Sequence, residues 1–244
     1  MAKPHYKRIL LKLSGEALSG NQKSGLSPEY LQNISAQIYD VHRKGIQIGV
    51  VIGGGNIVRG LSATETGMER VAGDHMGMLA TVINCIAMQN FLERLGAETR
   101  VMSALHVPAV AEPYIRRRAV RHLEKNRIVL FAAGTGNPYF TTDSAATLRA
   151  IETNCDIIMK GTKVDGIYDK DPAKHKGTIM FKQLDYTEVI NRQLMVMDTS
   201  SIALCRENNM PILVFNMTKQ GNLLLAASGK KLGTIVKAKE EKNG

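Results

Sequence analysis

Short apolar runs along the chain alternate with stretches in which apolar residues recur every three or four positions. Lys7–Leu13 reads as one buried strand that stops at Ser14-Gly15. Gly20–Gly25 is polar and glycine-rich, the composition of a loop. Ser27 stands where an N-cap belongs, with Pro28 in the first turn of a helix. Leu31, Ile34, Ile38 and Val41 give that helix one apolar face, and Gly45 ends it. Ile46–Ile52 is the next strand and runs into Gly53-Gly54-Gly55. A long helix is predicted from Asp74 to Leu95. It is apolar on nearly every side as far as Met88, which predicts a central position.

The alternation continues with a strand at Thr99–Ser103, a basic helix around Tyr114–Lys125 and a buried strand at Arg127–Ala132 that ends in Gly134-Thr135-Gly136. A helix starts after Asp143, and Cys155–Lys160 reads as another strand. From Lys160 to Lys182 the texture changes: Asp165-Gly166 and Asp171-Pro172 are turn signals among crowded charges. Helices at Thr187–Arg192 and Ser200–Asn208, a strand at Pro211–Asn216, a short helix from Gln220 and a strand near Thr234–Val236 complete the pattern. Strand–helix–strand repetition predicts an α/β fold with a mainly parallel sheet covered by helices on both faces. A single domain over 1–244 is expected, with a soft lobe boundary near residue 160 and no flexible linker.

Composition narrows the class. Apolar residues make up 44% and charged residues 22% of the chain, which excludes disordered, collagen-like and coiled-coil chains. No apolar run reaches the roughly 18 residues of a membrane span, and Ile9–Leu11 is too short for a signal peptide. A cytoplasmic location is expected. Cys85, Cys155 and Cys205 are widely spaced and form no C-x-x-C, so a disulfide scaffold or cysteine zinc site is not indicated. The net charge of +10 fits either a nucleic-acid binder or an enzyme that gathers phosphates. The densest basic run, Arg116 to Arg127, has no interleaved aromatic residues for stacking bases. It reads as a solvated helix face or an effector or subunit contact.

The chemistry gathers where strands end. Open parallel sheets bind ligands beyond the carboxyl ends of their strands. Three strands here end in glycine-bearing turns: Lys12-Leu13-Ser14-Gly15, Gly53-Gly54-Gly55-Asn56 and Gly134-Thr135-Gly136-Asn137. Glycines let backbone N–H groups approach phosphate oxygens. Neither G-x-x-x-x-G-K-[ST] nor G-x-G-x-x-G is present, so P-loop and dinucleotide fingerprints are excluded. Lys12, among buried neighbours, needs an anionic partner and reads as a phosphate ligand. Arg59 follows the triple glycine and carries a fork suited to phosphate. Asp74 has two open readings, an N-cap or an acceptor for ribose hydroxyls, and Asp143 is a natural cap as well as a site acid. Asn137-Pro138-Tyr139-Phe140-Thr141-Thr142 offers two hydroxyls and two aromatics for a base-and-phosphate pocket. The Lys160–Asp171 cluster, with Thr162 and Tyr168, suits nucleotide and Mg²⁺ handling.

Five strings, Lys12–Glu16, Gly53–Asn56, Gly73–Gly77, Gly134–Asp143 and Thr162–Gly166, resemble those of the bacterial-type uridylate kinases of the amino acid kinase superfamily. The likeness runs in order from about Tyr6 to about Val236. It implies an amino acid kinase-type α/β sandwich, a homohexamer, and transfer of the ATP γ-phosphoryl group to UMP with Mg²⁺ in pyrimidine nucleotide biosynthesis. It further implies that Lys12, Leu13, Ser14, Gly15 and Gly55 meet ATP phosphates, and that Arg59 binds phosphate where the nucleotides join. Thr162, Tyr168 and Asp171 would line the ATP nucleoside pocket. Gly54, Asp74 and the run Thr135, Gly136, Asn137, Pro138, Tyr139, Phe140, Thr141 and Thr142 would hold UMP. Asp143, with Asp198, would organise the lysine and the metal, which is held mainly by ATP phosphates. Residues 1–160 would then carry mainly the UMP and phosphate side, and 161–244 mainly the ATP nucleoside side. GTP activation and UTP inhibition are common in the family, but Gln89, Asn90 and Glu93 do not match its effector-contacting positions. Rival readings are a carboxylate or carbamate kinase of the same superfamily and a basic nucleic-acid binder.

Overall fold

A computed structural model describes residues 5–58 and 67–239. Nine strands form one sheet: β1 (Arg8–Leu13), β2 (Gln47–Ile52), β3 (Thr99–Ser103), β4 (Glu112–Pro113), β5 (Ile128–Ala132), β6 (Ile157–Thr162), β7 (Gln183–Leu184), β8 (Ile212–Asn216) and β9 (Thr234–Val236). Their spatial order is β4-β3-β5-β2-β1-β6-β8-β9-β7. Every pairing is parallel except β8 with β9. The turns after β1, β2 and β5 therefore leave the same edge of the sheet from three adjacent strands.

The helices are α1 (Glu16–Ser19), α2 (Pro28–His42), α3 (Arg70–Arg94), α4 (Arg116–Glu124), α5 (Thr142–Glu152), α6 (Tyr186–Asn191), α7 (Thr199–Glu207) and α8 (Asn222–Ala227). Two apolar clusters cover the two faces of the sheet. Ile9, Leu11 and Leu13 of β1 pack with residues of α2, α3 and α8. Leu10 packs with residues of α4, α5 and α7. Strand residues alternate between faces, so Lys12 projects toward the α5 side with Leu10. Burial on both faces explains why β1 reads as an almost unbroken apolar run. All three cysteines are buried and free; burial pushes the Cys85 thiol up to about 12.

Several boundaries differ from the sequence reading. The long helix begins at Arg70 rather than Asp74. The strand expected at Cys155–Lys160 is displaced to Ile157–Thr162, because the Cys155 N–H closes the end of α5 on the Ala150 carbonyl at 2.9 Å. Strands β4 and β7, of two residues each, escaped prediction because such pieces carry no periodicity. The expected central burial of α3 is corrected: Met76, Leu79, Ile83 and Ile86 form an exposed apolar stripe, with Leu79 and Ile83 each 48% exposed. An all-apolar helix and a helix with one uncovered apolar face have the same composition. Among the described residues α3 is the one helix long and apolar enough to cross a membrane, but it carries buried Thr81 and Asn84 against the glycine turns.

Candidate active site

From β1 the chain steps to β2 on one side, and from β6 it steps to β8 on the other. The crevice above β1 and β6 is thus a topological switch point, where open α/β sheets bind ligands. Lys12 and Lys160 are register partners at this crevice. Between them stands Asp143 from the first turn of α5. Lys12 Nζ lies 2.7 Å from Asp143 Oδ1. Lys160 Nζ lies 3.1 Å from Asp143 Oδ2 and also donates to the Val196 carbonyl. The three side chains are only 10%, 17% and 13% exposed, respectively.

Charges this buried are tolerated only when paired. Burial alone raises the Asp143 carboxyl, yet the Lys12 and Lys160 ammoniums outweigh it and hold the group below the ordinary carboxylate range. Burial, and then repulsion from Lys12, pull Lys160 below the ordinary lysine range against the attraction of Asp143. The trio of two ammoniums and one carboxylate carries one excess positive charge, with the Asp198 carboxylate close enough to act on Lys160, and it offers two fixed cations to an incoming phosphoryl group.

The glycine turns close on this cluster. The Gly53 N–H donates to the Leu13 carbonyl at 2.9 Å. A Cβ at Gly15 would lie 2.5 Å from both Asn56 Oδ1 and the Gly53 carbonyl oxygen, and one at Gly54 would lie 2.6 Å from the Gly77 carbonyl of α3. Both positions therefore need glycine. After β5, the backbone turns through positive φ at Ala133 and Gly134 (62° and 60°), and again at Gly136 and Tyr139. Asn137 N–H donates to Thr135 Oγ1 at 3.2 Å, and Tyr139 N–H to Asp74 Oδ2 at 2.8 Å. Tyr139 and Phe140 are exposed, and the Arg70 guanidinium lies over the Tyr139 ring.

Two capping readings are corrected. The N-cap of α5 is Thr141, whose Oγ1 accepts from the Asp143 N–H at 3.1 Å. Asp143 is thereby freed to face the lysines. Asp74 lies one turn inside α3, whose N-cap position is Glu69, so its carboxylate instead ties α3 to the Asn137–Thr142 segment.

The structure brings together Lys12, Ser14, Gly15, Gly53–Gly55, Thr142 and Asp143. Thr162 closes β6, across a cavity of about 220 Å³ that Ser14 also lines. Tyr168 bridges to Met180, and Asp171 accepts from the Ala173 N–H at 2.9 Å. Among the described residues, neither bonds to the Lys12–Asp143–Lys160 cluster, and Arg59 lies outside them. Sequence reasoning missed Lys160 as a central group, although Ile158-Met159-Lys160-Gly161 repeats the apolar-then-lysine ending of Leu10-Leu11-Lys12-Leu13. Asp198 accepts from the Thr141 hydroxyl and, with Asp143 and Lys160, lines a cavity of about 560 Å³.

A family model described as the amino acid kinase family matches residues 7–216, and the chain belongs to that family. It is 54% identical over 236 residues to a uridylate kinase of Dichelobacter nodosus, covering 97% of this chain and 98% of that one. It superposes on the crystal structure of a UMP kinase from Bacillus anthracis with a TM-score of 0.93 at 39% identity, covering 96% of this chain and 97% of that one. A UMP kinase from Ureaplasma parvum gives 0.89 at 38% identity, covering 97% and 100%.

Proposed function

We infer that this chain transfers the γ-phosphoryl group of ATP to UMP, giving UDP and ADP. The observation that carries the reading is the buried Lys12–Asp143–Lys160 cluster ringed by glycine turns at one sheet edge. An oxygen of the UMP phosphate forms the new bond to the γ-phosphorus. The bond from that phosphorus to the β,γ-bridging oxygen breaks, and its electron pair leaves with ADP. No general base is needed, because a phosphate monoester is largely dianionic above its second pKa of about 6. The protein's task is to hold two anions in line and neutralise charge. Lys12 and Lys160 supply the positive charge, and Asp143 fixes where both ammoniums point.

Lys12, Leu13, Ser14, Gly15 and Gly55, with Arg59, face the ATP phosphates in this reading, and Thr162, Tyr168 and Asp171 face its nucleoside. Gly54, Asp74 and residues 135–142 hold UMP, so residues 1–160 carry mainly the UMP and phosphate side and residues 161–244 mainly the ATP nucleoside side. Among the described residues no cluster of three or more acidic, histidine or cysteine side chains forms a metal site. Mg²⁺ is commonly held by one or two carboxylates plus substrate phosphates. Asp198, beside the cluster, and Asp143 are the carboxylates placed to help hold it. Bound there, Mg²⁺ would neutralise phosphate charge. The exposed stripe of α3 supports self-association, and a homohexamer is our proposal for the assembly. Gln89 and Glu93 bond to each other, and Glu93 to Thr99, so they offer a triphosphate no cation. GTP activation therefore gains no support there, whereas UTP shares the uridine that the UMP pocket reads. A cytoplasmic location fits both substrates.

A coupled assay with ATP, Mg²⁺ and a panel of acceptors tests the reading. Uracil presents an N3 donor and an O4 acceptor, and cytosine the reverse pair, so a matched buried site loses roughly 1–3 kcal/mol per mismatched group. The kcat/KM for UMP is expected to exceed that for CMP at least tenfold. Equal values, or preferential phosphorylation of acetylglutamate or aspartate, overturn it.

A further inference from the structure

Helix α3 bonds to both glycine-bearing turns that follow β2 and β5. Thr81 is only 2% exposed, and its hydroxyl donates to the Met78 carbonyl at 2.6 Å. That bond orients the hydroxyl so that its lone pair accepts the Ala133 N–H at 2.7 Å. Ala133 has φ 62°, a conformation side chains with a Cβ rarely adopt, and it begins the turn that leads into Thr135–Thr142. Three residues further along the helix, Asn84 is fully buried. Its Nδ2 donates to the Gly53 carbonyl at 2.7 Å and to Asn56 Oδ1 at 2.7 Å, and its Oδ1 accepts from Asn56 Nδ2 at 2.9 Å. Asn56 Nδ2 also donates to the Gly25 carbonyl at 2.9 Å, joining the loop before α2 to the same network.

We propose that Thr81 and Asn84 are positioning residues: α3 acts as a ruler that fixes the spacing between the Gly53–Gly55 turn and the Ala133–Gly136 turn, and so the alignment of UMP with the phosphate to be transferred. The proposal rests on the nucleotide assignment made above. Both side chains are buried and bond to protein groups. Each acts through a backbone group of a buried residue, Ala133 or Gly53, where an unmet hydrogen bond is expensive. The two contacts differ in what they hold. Thr81 governs only the turn assigned to UMP, whereas Asn84 governs the turn assigned to both phosphates. The same helix carries the uncovered stripe of Leu79 and Ile83 on its outer side, so subunit packing and turn spacing share one rigid element.

Steady-state kinetics on the full chain test this. Thr81→Val keeps the shape and removes the hydroxyl, and it should raise the UMP KM on the order of tenfold while the ATP KM stays within about twofold. Thr81→Ser, which keeps the hydroxyl, should return the UMP KM to within about threefold of wild type. Asn84→Ala should raise both KM values, and Thr81→Ala carries the test of the split if Thr81→Val does not fold. A purely structural role would lower Tm without splitting the two KM values. The proposal is overturned if Thr81→Val leaves the UMP KM unchanged or raises both alike, if serine fails to rescue, or if Asn84→Ala leaves both unchanged. A wild-type chain that does not phosphorylate UMP sinks the functional reading instead.

Discussion

The crevice above β1 and β6 and the exposed segment 163–182 divide the proposed ATP site into two kinds of structure. In the crevice, groups sit on the ends of buried strands, and both ammoniums share one carboxylate within 3.3 Å. Most of segment 163–182 is exposed and carries short-range bonds such as Ile179 N–H on Asp169 and Ala173 N–H on Asp171, while Asp165 with Asn216 and Lys219, and buried Ile167 with Thr234, anchor it to the sheet. Phosphates are common to every nucleotide and need a fixed charge geometry, so they are given the rigid part. A nucleoside is read by fewer, weaker contacts, which an exposed loop can supply.

The comparison breaks most readily at Asp143. Asp143→Asn removes the one carboxylate that both buried ammoniums contact and should cost about 3–5 kcal/mol of unfolding free energy in denaturant titration at neutral pH. The sign with pH follows from the lowered carboxyl. Its contribution is fully present above the unfolded-state carboxylate value of about 4 and is lost as pH falls through the depressed folded value. The gap between wild type and Asp143→Asn should therefore shrink in acid. A gap of the same size at neutral pH and below the depressed value would mean that the carboxylate is not what holds the lysines.

Lys12→Ala comes next. Removing a fixed, buried, charge-stabilising donor should lower kcat on the order of 10²–10³, with Lys160 unable to fill both positions. A variant within threefold of wild type in kcat would reduce Lys12 to a structural partner of Asp143.

These two residues also mark what the sequence reveals and what it hides. Lys12 is visible because it interrupts an apolar strand, and a lysine there needs a counter-ion. Lys160 has the same setting, yet it borders the charged segment Lys163–Lys170 and passes for a surface residue. Only the parallel register of β1 with β6 pairs them, and register is a tertiary fact. Thr141 and Asp143 are both acceptable caps by type, and the choice between them depends on where the lysines lie. The glycine turns were legible as turns, but their convergence followed from strand order. In the sequence Asn84 is simply a polar residue within the apolar stretch from Met76 to Met88. Its role emerges only once Gly53 and Asn56 are seen within bonding distance.

The smallest effect sharpens the contrast from the other side. Asp171 is exposed, its carboxylate accepts one neighbouring N–H, and it faces Lys174 at 3.8 Å. Such a group is solvated before any ligand arrives, so a hydrogen bond it gives up costs about 0.5–1.5 kcal/mol net. Asp171→Ala should raise the ATP KM by roughly two- to tenfold, leave kcat and the UMP KM unchanged, and leave stability within about 0.5 kcal/mol of wild type. The pattern matters more than its size. An interaction made equally in the ground and transition states changes KM alone, whereas one made only with the migrating phosphoryl changes kcat. If Asp171→Ala instead lowered kcat as Lys12→Ala does, the exposed segment would be taking part in phosphoryl transfer, and the division between a rigid charge-handling crevice and a peripheral nucleoside reader would fail.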